Sequence, residues 1–136
     1  MNPQTRIREA TVHDLDVIMH HRRQMFVDMG FTDEQQLAVS QSSSRGFIAQ
    51  GLADGMYRGW LAEDDRGRVV AGSGIVLMVR PSHPEHPGVR RAEILNMYTE
   101  PAYRRQGIAH KLMDVMIDWC RKEGFECVSL HASDEG

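Results

Sequence analysis

Nowhere in the chain do about eighteen apolar residues run together, and the opening MNPQTRIREATVHD contains no apolar segment. Neither a membrane span nor a secretory signal is expected, and the expected location is the cytoplasm. Cysteine is scarce. Cys120 and Cys127 sit at a spacing that fits neither a zinc site nor a redox pair, so both read as reduced, buried thiols. Charge of one sign is lacking too: a formal net charge of -3 gives no global attraction to nucleic acid or anionic lipid. An anion site must therefore be a local gathering of positive groups. Low-complexity tracts and internal repeats are missing, which leaves one domain over residues 1–136.

What is present is a chain with 41% hydrophobic and 26% charged residues, the balance of a folded globular protein, whose patterning changes period along its length. Residues 7–11 (IREAT) read as a short strand. Thr11 and Asp14 can cap a helix in which Leu15, Ile18, Met25, Phe26 and Met29 recur at helical spacing, with Gly30 as its stop. Thr32 and Gln35 form a capping-box pattern for a second helix, and Asp33 and Glu34 suit the dipole of its first turn. That helix should run towards Gln41; Ser42, Ser43, Ser44 and Gly46 then weaken the pattern and leave FIAQGLADG undecided. From Tyr57 the period becomes two. YRGWLAE and RVVAGSGIVLMVR flank DDRG as a hairpin, and Gly72 and Gly74 in its second strand allow close approach of something packed on it. PSHPEHPGVR is a loop and AEILNMYT a third strand. A helix from about Gly107 to Glu123 follows, stopped by Gly124, and ECVSLHA is a last strand. A helix between two strands implies a right-handed crossover and a parallel pair, so the fold class is mixed α/β.

The stretch EPAYRRQGIAHKLM carries the chemistry. A helix starting at Gly107 has unpaired backbone N–H groups over its first turn, and its peptide dipoles add partial positive charge there. Gly107 lets an anion come close to the backbone, Ala109 keeps the helix near its neighbours, and Arg104, Arg105, His110 and Lys111 add attraction. The pattern suits a pyrophosphate. It is neither a nucleotide P-loop, which needs a further glycine and a Lys-Ser or Lys-Thr pair, nor a three-glycine dinucleotide fingerprint.

RRQGIA, preceded by LNMYTEPAY and followed by HKLMDVMIDWC, resembles the acyl-CoA binding motif of the GCN5-related N-acetyltransferase superfamily, with Arg104, Gly107 and Ala109 in its fixed positions. The similarity runs from Ile7 through the last strand. It implies a mostly antiparallel central sheet flanked by helices, with a splayed parallel pair formed by AEILNMYT and the last strand, and the acetyl-pantetheine arm of acetyl-CoA between them. It further implies that the backbone at Met97, Tyr98 and Thr99 meets the thioester and pantetheine. Arg105, Gln106, Gly107, Ile108 and Ala109, with His110 beside them, would hold the pyrophosphate. Glu93 stands where a glutamate general base is found in the histone-acetylating branch, and attack on a thioester needs a neutral amine. The resemblance also implies a further helix and two strands, often bringing a tyrosine that protonates the departing thiolate. The sequence ends at Gly136, with HASDEG at the start of that segment, so the domain is expected to be truncated at its C-terminus and no general acid is assigned.

The function implied is transfer of acetyl from acetyl-CoA to a primary amine of a small molecule or peptide by direct attack, without a metal. A non-catalytic acyl-CoA-binding module and an interaction domain on the same fold are the alternatives. No nucleic-acid or membrane partner is expected, and a homodimer follows from family habit alone. Other residues carry plainer readings. His83, Glu85 and His86 belong to a flexible loop rather than a metal site. His20, His21, Arg22 and Arg23 read as a solvated face, on helices that in this fold wall the acceptor pocket. Met25, Met29, Met113 and Met116 read as core filling, Trp60 and Trp119 as core aromatics, and His131 as structural. Tyr98 either faces the cleft or packs beneath the sheet.

Overall fold

A computed structural model describes residues 5–85, 87–125 and 128–130. One five-stranded sheet runs in sequential order, with β1 (Arg6–Glu9), β2 (Tyr57–Glu63), β3 (Val69–Val79) and β4 (Arg90–Thr99) antiparallel neighbours and β5 (Val128–Leu130) parallel to β4. The crossover that makes the last pair parallel is α3 (Ile108–Lys122), as the strand-helix-strand order requires. Among the described residues no helix is long and apolar enough to cross a membrane.

Before β2 come α1 (Leu15–Asp28) and α2 (Glu34–Asp54). Thr11 and Asp14 form the expected box around a 3-10 turn: the Thr11 amide donates to Asp14 Oδ2 at 2.8 Å and the His13 amide to Thr11 Oγ1 at 3.3 Å. α2 is capped one residue later than the sequence suggested. Asp33 Oδ1 accepts from the amides of Gln35 (2.9 Å) and Gln36 (3.1 Å), since a carboxylate serves the helix N-terminus better than the Thr32 hydroxyl. The helix also continues past Gln41, through the serines and Gly46, to Asp54. Tertiary packing overrides the weak local propensity there: Leu37, Ile48 and Gly51 are buried, and Gln41 Nε2 donates to the Met19 carbonyl at 2.8 Å. Gly51 has to be glycine, because a Cβ there would stand 2.5 Å from the Tyr57 Cβ.

The sheet is packed on both faces. On one, α3 sets Ile108, Leu112, Met116 and Cys120, four residues apart, onto Val70, Ile75, Ala92 and Ile94. Trp60 meets Trp119 edge to face at 5.7 Å and Trp119 stacks on Phe125, so both tryptophans belong to this core as expected. Burial raises the pKa of the Cys120 thiol; Cys127 lies outside the described residues. On the other face, α1 and α2 bring Ile18, Met19 and Ile48 against Tyr57 and Leu61. The glycines of β3 open this face: Gly74 lies directly under the Tyr57 ring, and a Cβ at Gly72 would come within 2.8 Å of Leu61 Cδ2. In the hairpin turn, Asp64 Oδ1 accepts from the amides of Arg66 and Arg68, both at 2.9 Å.

Candidate active site

β4 carries an irregularity where the site begins. Gly74 pairs with Leu95 and Gly72 with Tyr98, so one more residue of β4 than of β3 fills the interval. Asn96 takes up the excess with φ 59°, a left-handed conformation that asparagine tolerates. Its side chain is buried and tied on both sides. Arg22 Nη1 donates to Asn96 Oδ1, and Asn96 Nδ2 donates to the Tyr57 hydroxyl at 3.0 Å. Pairing of β4 with β5 is described from Ala92–Val128 to Ile94–Leu130, while β4 itself runs on to Thr99.

Beyond Thr99 the chain makes a 3-10 turn at Pro101–Tyr103 and then two left-handed residues, Arg105 (φ 64°) and Gly107 (φ 82°). Gly107 is the N-cap of α3, and no side chain caps the helix. The first intrahelical bond runs from the Lys111 amide to the Gly107 carbonyl at 3.1 Å, which leaves the amides of Ile108, Ala109 and His110 without helical partners. A Cβ at Gly107 would meet nothing within 4 Å, so glycine is favoured here by its φ alone and leaves open space in front of the amides.

That space is a cavity of about 420 Å³. Met97, Tyr98 and Thr99 line it from β4, and Arg104, Arg105, Gly107, Ile108 and Ala109 from the turn and α3. Gln106 and His110 stand outside the lining: Gln106 Nε2 donates to the Ala102 carbonyl at 3.4 Å and His110 Nε2 lies 3.5 Å from Asp114. Of the two alternatives for Tyr98 the structure supports the first: it lines the cavity, and its ring packs at 5.2 Å on that of His21 of α1. Arg104 is not a free cation. Its Nε donates to the Thr99 carbonyl at 2.8 Å and its Nη2 to Asp28 at 2.6 Å, so it clasps the turn to the end of α1. Arg105 has no carboxylate partner among the described residues and is the unneutralised charge of the turn.

Met25 and Asp28 of α1 and Met29 just after it complete the cavity, together with Tyr103. None of these was legible as a site residue. Met25 and Met29 fit the apolar stripe of α1, and nothing local in the sequence joins Asp28 to Arg104. The structure corrects the core reading for these two methionines, since they wall the cleft, whereas Met116 is fully buried and Met113 packs beside it.

The solvated face expected for residues 20–23 also divides. His20 is exposed and Arg23 pairs with Glu34 at 2.8 Å, but His21 is 2% exposed and Arg22 half-buried. Burial, reinforced by the charge of His20, lowers the His21 pKa from 6.5 to about 4, and neither ring nitrogen has a hydrogen-bond partner among the described residues. The signal was present: His21 and Arg22 fall three and four residues after Ile18, on the stripe that continues to Met25.

Glu93 stands opposite Val76 on β3 and Ser129 on β5, and alternation puts it on the same face of β4 as Leu95. Val76 and Leu95 both line a second cavity of about 210 Å³, walled by Ser43, Ser44 and Phe47 of α2 and by Arg22. Glu93 is not among the residues that line this second space, but it shares the strand face of two that do, Val76 and Leu95, on the strand that also borders the first. In the 81–90 loop the His83 Nδ1 accepts from the Glu85 amide at 3.1 Å, and His86 and His131 lie outside the described residues. Among the described residues no group of three metal-ligating side chains occurs.

Residues 15–135 match the family model described as acetyltransferase (GNAT) family. A GCN5-related N-acetyltransferase from Ralstonia eutropha superposes with a TM-score of 0.91 at 34% identity, over 98% of this chain and 86% of its own. A predicted acetyltransferase with acetyl-CoA from Clostridium acetobutylicum gives 0.88 at 23% identity, over 98% and 84%. An aminoglycoside N-acetyltransferase in complex with CoA gives 0.68 at 17%, over 99% and 81%. A comparison with the curated proteins gave no significant match.

Proposed function

The chain belongs to the acetyltransferase (GNAT) family, and from that premise we propose that it transfers acetyl from acetyl-CoA to the primary amine of a small molecule or peptide. The observation that carries this reading is the uncapped start of α3, whose free amides open onto the larger cavity beside the end of β4. These residues fit the coenzyme. Amides of the Arg105–Ala109 segment, with the Arg105 guanidinium that has no carboxylate partner among the described residues, suit the pyrophosphate, and the Met97, Tyr98 and Thr99 backbone suits the pantetheine arm.

Bound acetyl-CoA supplies a thioester carbonyl carbon to which the amine adds, with the thiolate leaving. For that addition the amine must first lose a proton. Glu93, on the same strand face as Val76 and Leu95 of the smaller cavity and on the strand bordering the larger one, accepts it directly or through one water. The C–N bond forms as the C–S bond breaks, so no enzyme-bound acyl group is needed. A backbone N–H near the β4 irregularity, aimed at the carbonyl oxygen, would stabilise the charge that gathers there.

The test is Glu93→Gln, assayed by release of free CoA thiol across a panel of amines. Loss of the base should lower kcat by about 10²–10⁴-fold while the dissociation constant for CoA holds. Turnover that is unchanged across pH would remove Glu93 from the mechanism, and a chain that binds CoA yet acetylates no amine would be a binding module instead.

A further inference from the structure

The smaller cavity has an electrostatic character of its own. Among the described residues Arg22 is the sole charged residue lining it, and no carboxylate among them pairs with that guanidinium. Other arginines of this half of the molecule are neutralised: Arg8 by Asp14 and Glu63, Arg23 by Glu34, Arg45 by Asp16 and Arg104 by Asp28. Among the described residues Arg22 has only the neutral Asn96 on Nη1 and the Phe26 ring 4.9 Å from its Cζ, and its buried Nε has no partner among them. A half-buried cation held without a counter-charge is costly, and an anion brought beside it recovers that cost. The remaining wall is apolar at Ile48, Val76 and Leu95, aromatic at Phe47 and Tyr57 and hydroxylic at Ser43 and Ser44, with no carboxylate among the described lining residues to pair with a second ammonium.

From this juxtaposition we propose that the acceptor is a small amine that also bears an anionic group, a carboxylate or phosphate, paired by Arg22 while its amino group faces Glu93. The inference rests on the acetyl-transfer reading and sharpens it. The volume of about 210 Å³ is below the roughly 300–1,000 Å³ of a site for drug-sized ligands, which favours an acceptor of amino-acid size. Arg22 in the wall and Glu93 on the strand face of Val76 and Leu95 match a zwitterion, with the apolar part of the wall taking what lies between.

Matched amines differing in the anion alone test this: L-leucine against L-leucinamide, and O-phosphoethanolamine against ethanolamine, with spermidine as a polycation. In the intact chain, kcat/KM should favour the anionic member of at least one pair by about tenfold or more, the worth of a charge-assisted hydrogen bond. Which pair responds distinguishes carboxylate from phosphate. Arg22→Gln should abolish the preference, but it also removes a support of Asn96. Ser44→Asp, on the outer helix, offers the guanidinium an internal carboxylate instead and should abolish the preference with CoA affinity unchanged. Preference for the amides, ethanolamine or spermidine, or a preference surviving both substitutions, overturns the proposal. Calorimetric binding of the same amines to the CoA-loaded chain separates the two readings. Anion-dependent binding lost in Ser44→Asp without any turnover keeps this inference and sinks acetyl transfer. Turnover without anion preference does the reverse, and anionic amines that neither bind nor react sink the inference.

Discussion

His21 shows how one side chain can couple the site to pH. It is buried against Tyr98, beside Arg22 and with Gly72 beneath it, and its imidazole stays neutral down to about pH 4, whereas in the unfolded chain it titrates near 6.5. Between those values the unfolded state binds a proton that the folded state does not, so stability rises with pH through this window and is lost as pH falls through it. The difference corresponds to at most about 3–4 kcal/mol at about 1.4 kcal/mol per pH unit. Urea denaturation at pH 7 and pH 4.5 should show this loss in the native chain, and His21→Leu should flatten it. An unaltered slope in that variant would place the titration elsewhere. The carboxylate of Asp14, held at about pH 2 chiefly by its hydrogen bonds from Arg8, loses its contribution only at lower pH and does not overlap the window.

Among the elements, α3 with the turn before it was the most legible, and α2 the least. α3 announces itself through apolar residues every three or four positions and glycines at both ends, features that local sequence carries in full. α2 keeps its helix through three serines and a glycine because of what it packs on, information that lies in β2 and not in the helix. The irregularity of β4 was invisible for a similar reason: Asn96 takes its left-handed conformation in the company of Arg22 and Tyr57, 74 and 39 residues away. Gly107 is the position where element and chemistry meet. Gly107→Ala meets no steric obstacle, so its cost is the left-handed conformation itself, about 1–2 kcal/mol. The substitution should destabilise the chain by that amount and weaken CoA binding by placing a methyl before the free amides. Unchanged calorimetric affinity would show that the turn does not hold the coenzyme.

At the scale of the whole molecule, the mixed α/β class and the parallel pair followed from element order alone, and the family resemblance located the larger cavity along the turn. The α1 side of that cavity did not follow, because Asp28 reaches Arg104 across 76 residues of sequence. Two helices, a bulged strand and an uncapped third helix thus line two spaces, which the proposed function assigns to a long anionic donor and a small acceptor. If the first space binds the coenzyme, CoA at about 100 times its dissociation constant should raise the unfolding free energy by about 2.7 kcal/mol. Failure of CoA to shift thermal unfolding would point to an interaction domain that has kept the fold without the ligand.

The most direct test is the crystal structure of the chain with CoA. Diphosphate oxygens within about 3.2 Å of amide nitrogens between Arg105 and His110, with the pantetheine arm along Met97, Tyr98 and Thr99, is the result expected. A coenzyme seated elsewhere, with those amides facing solvent, would contradict the account.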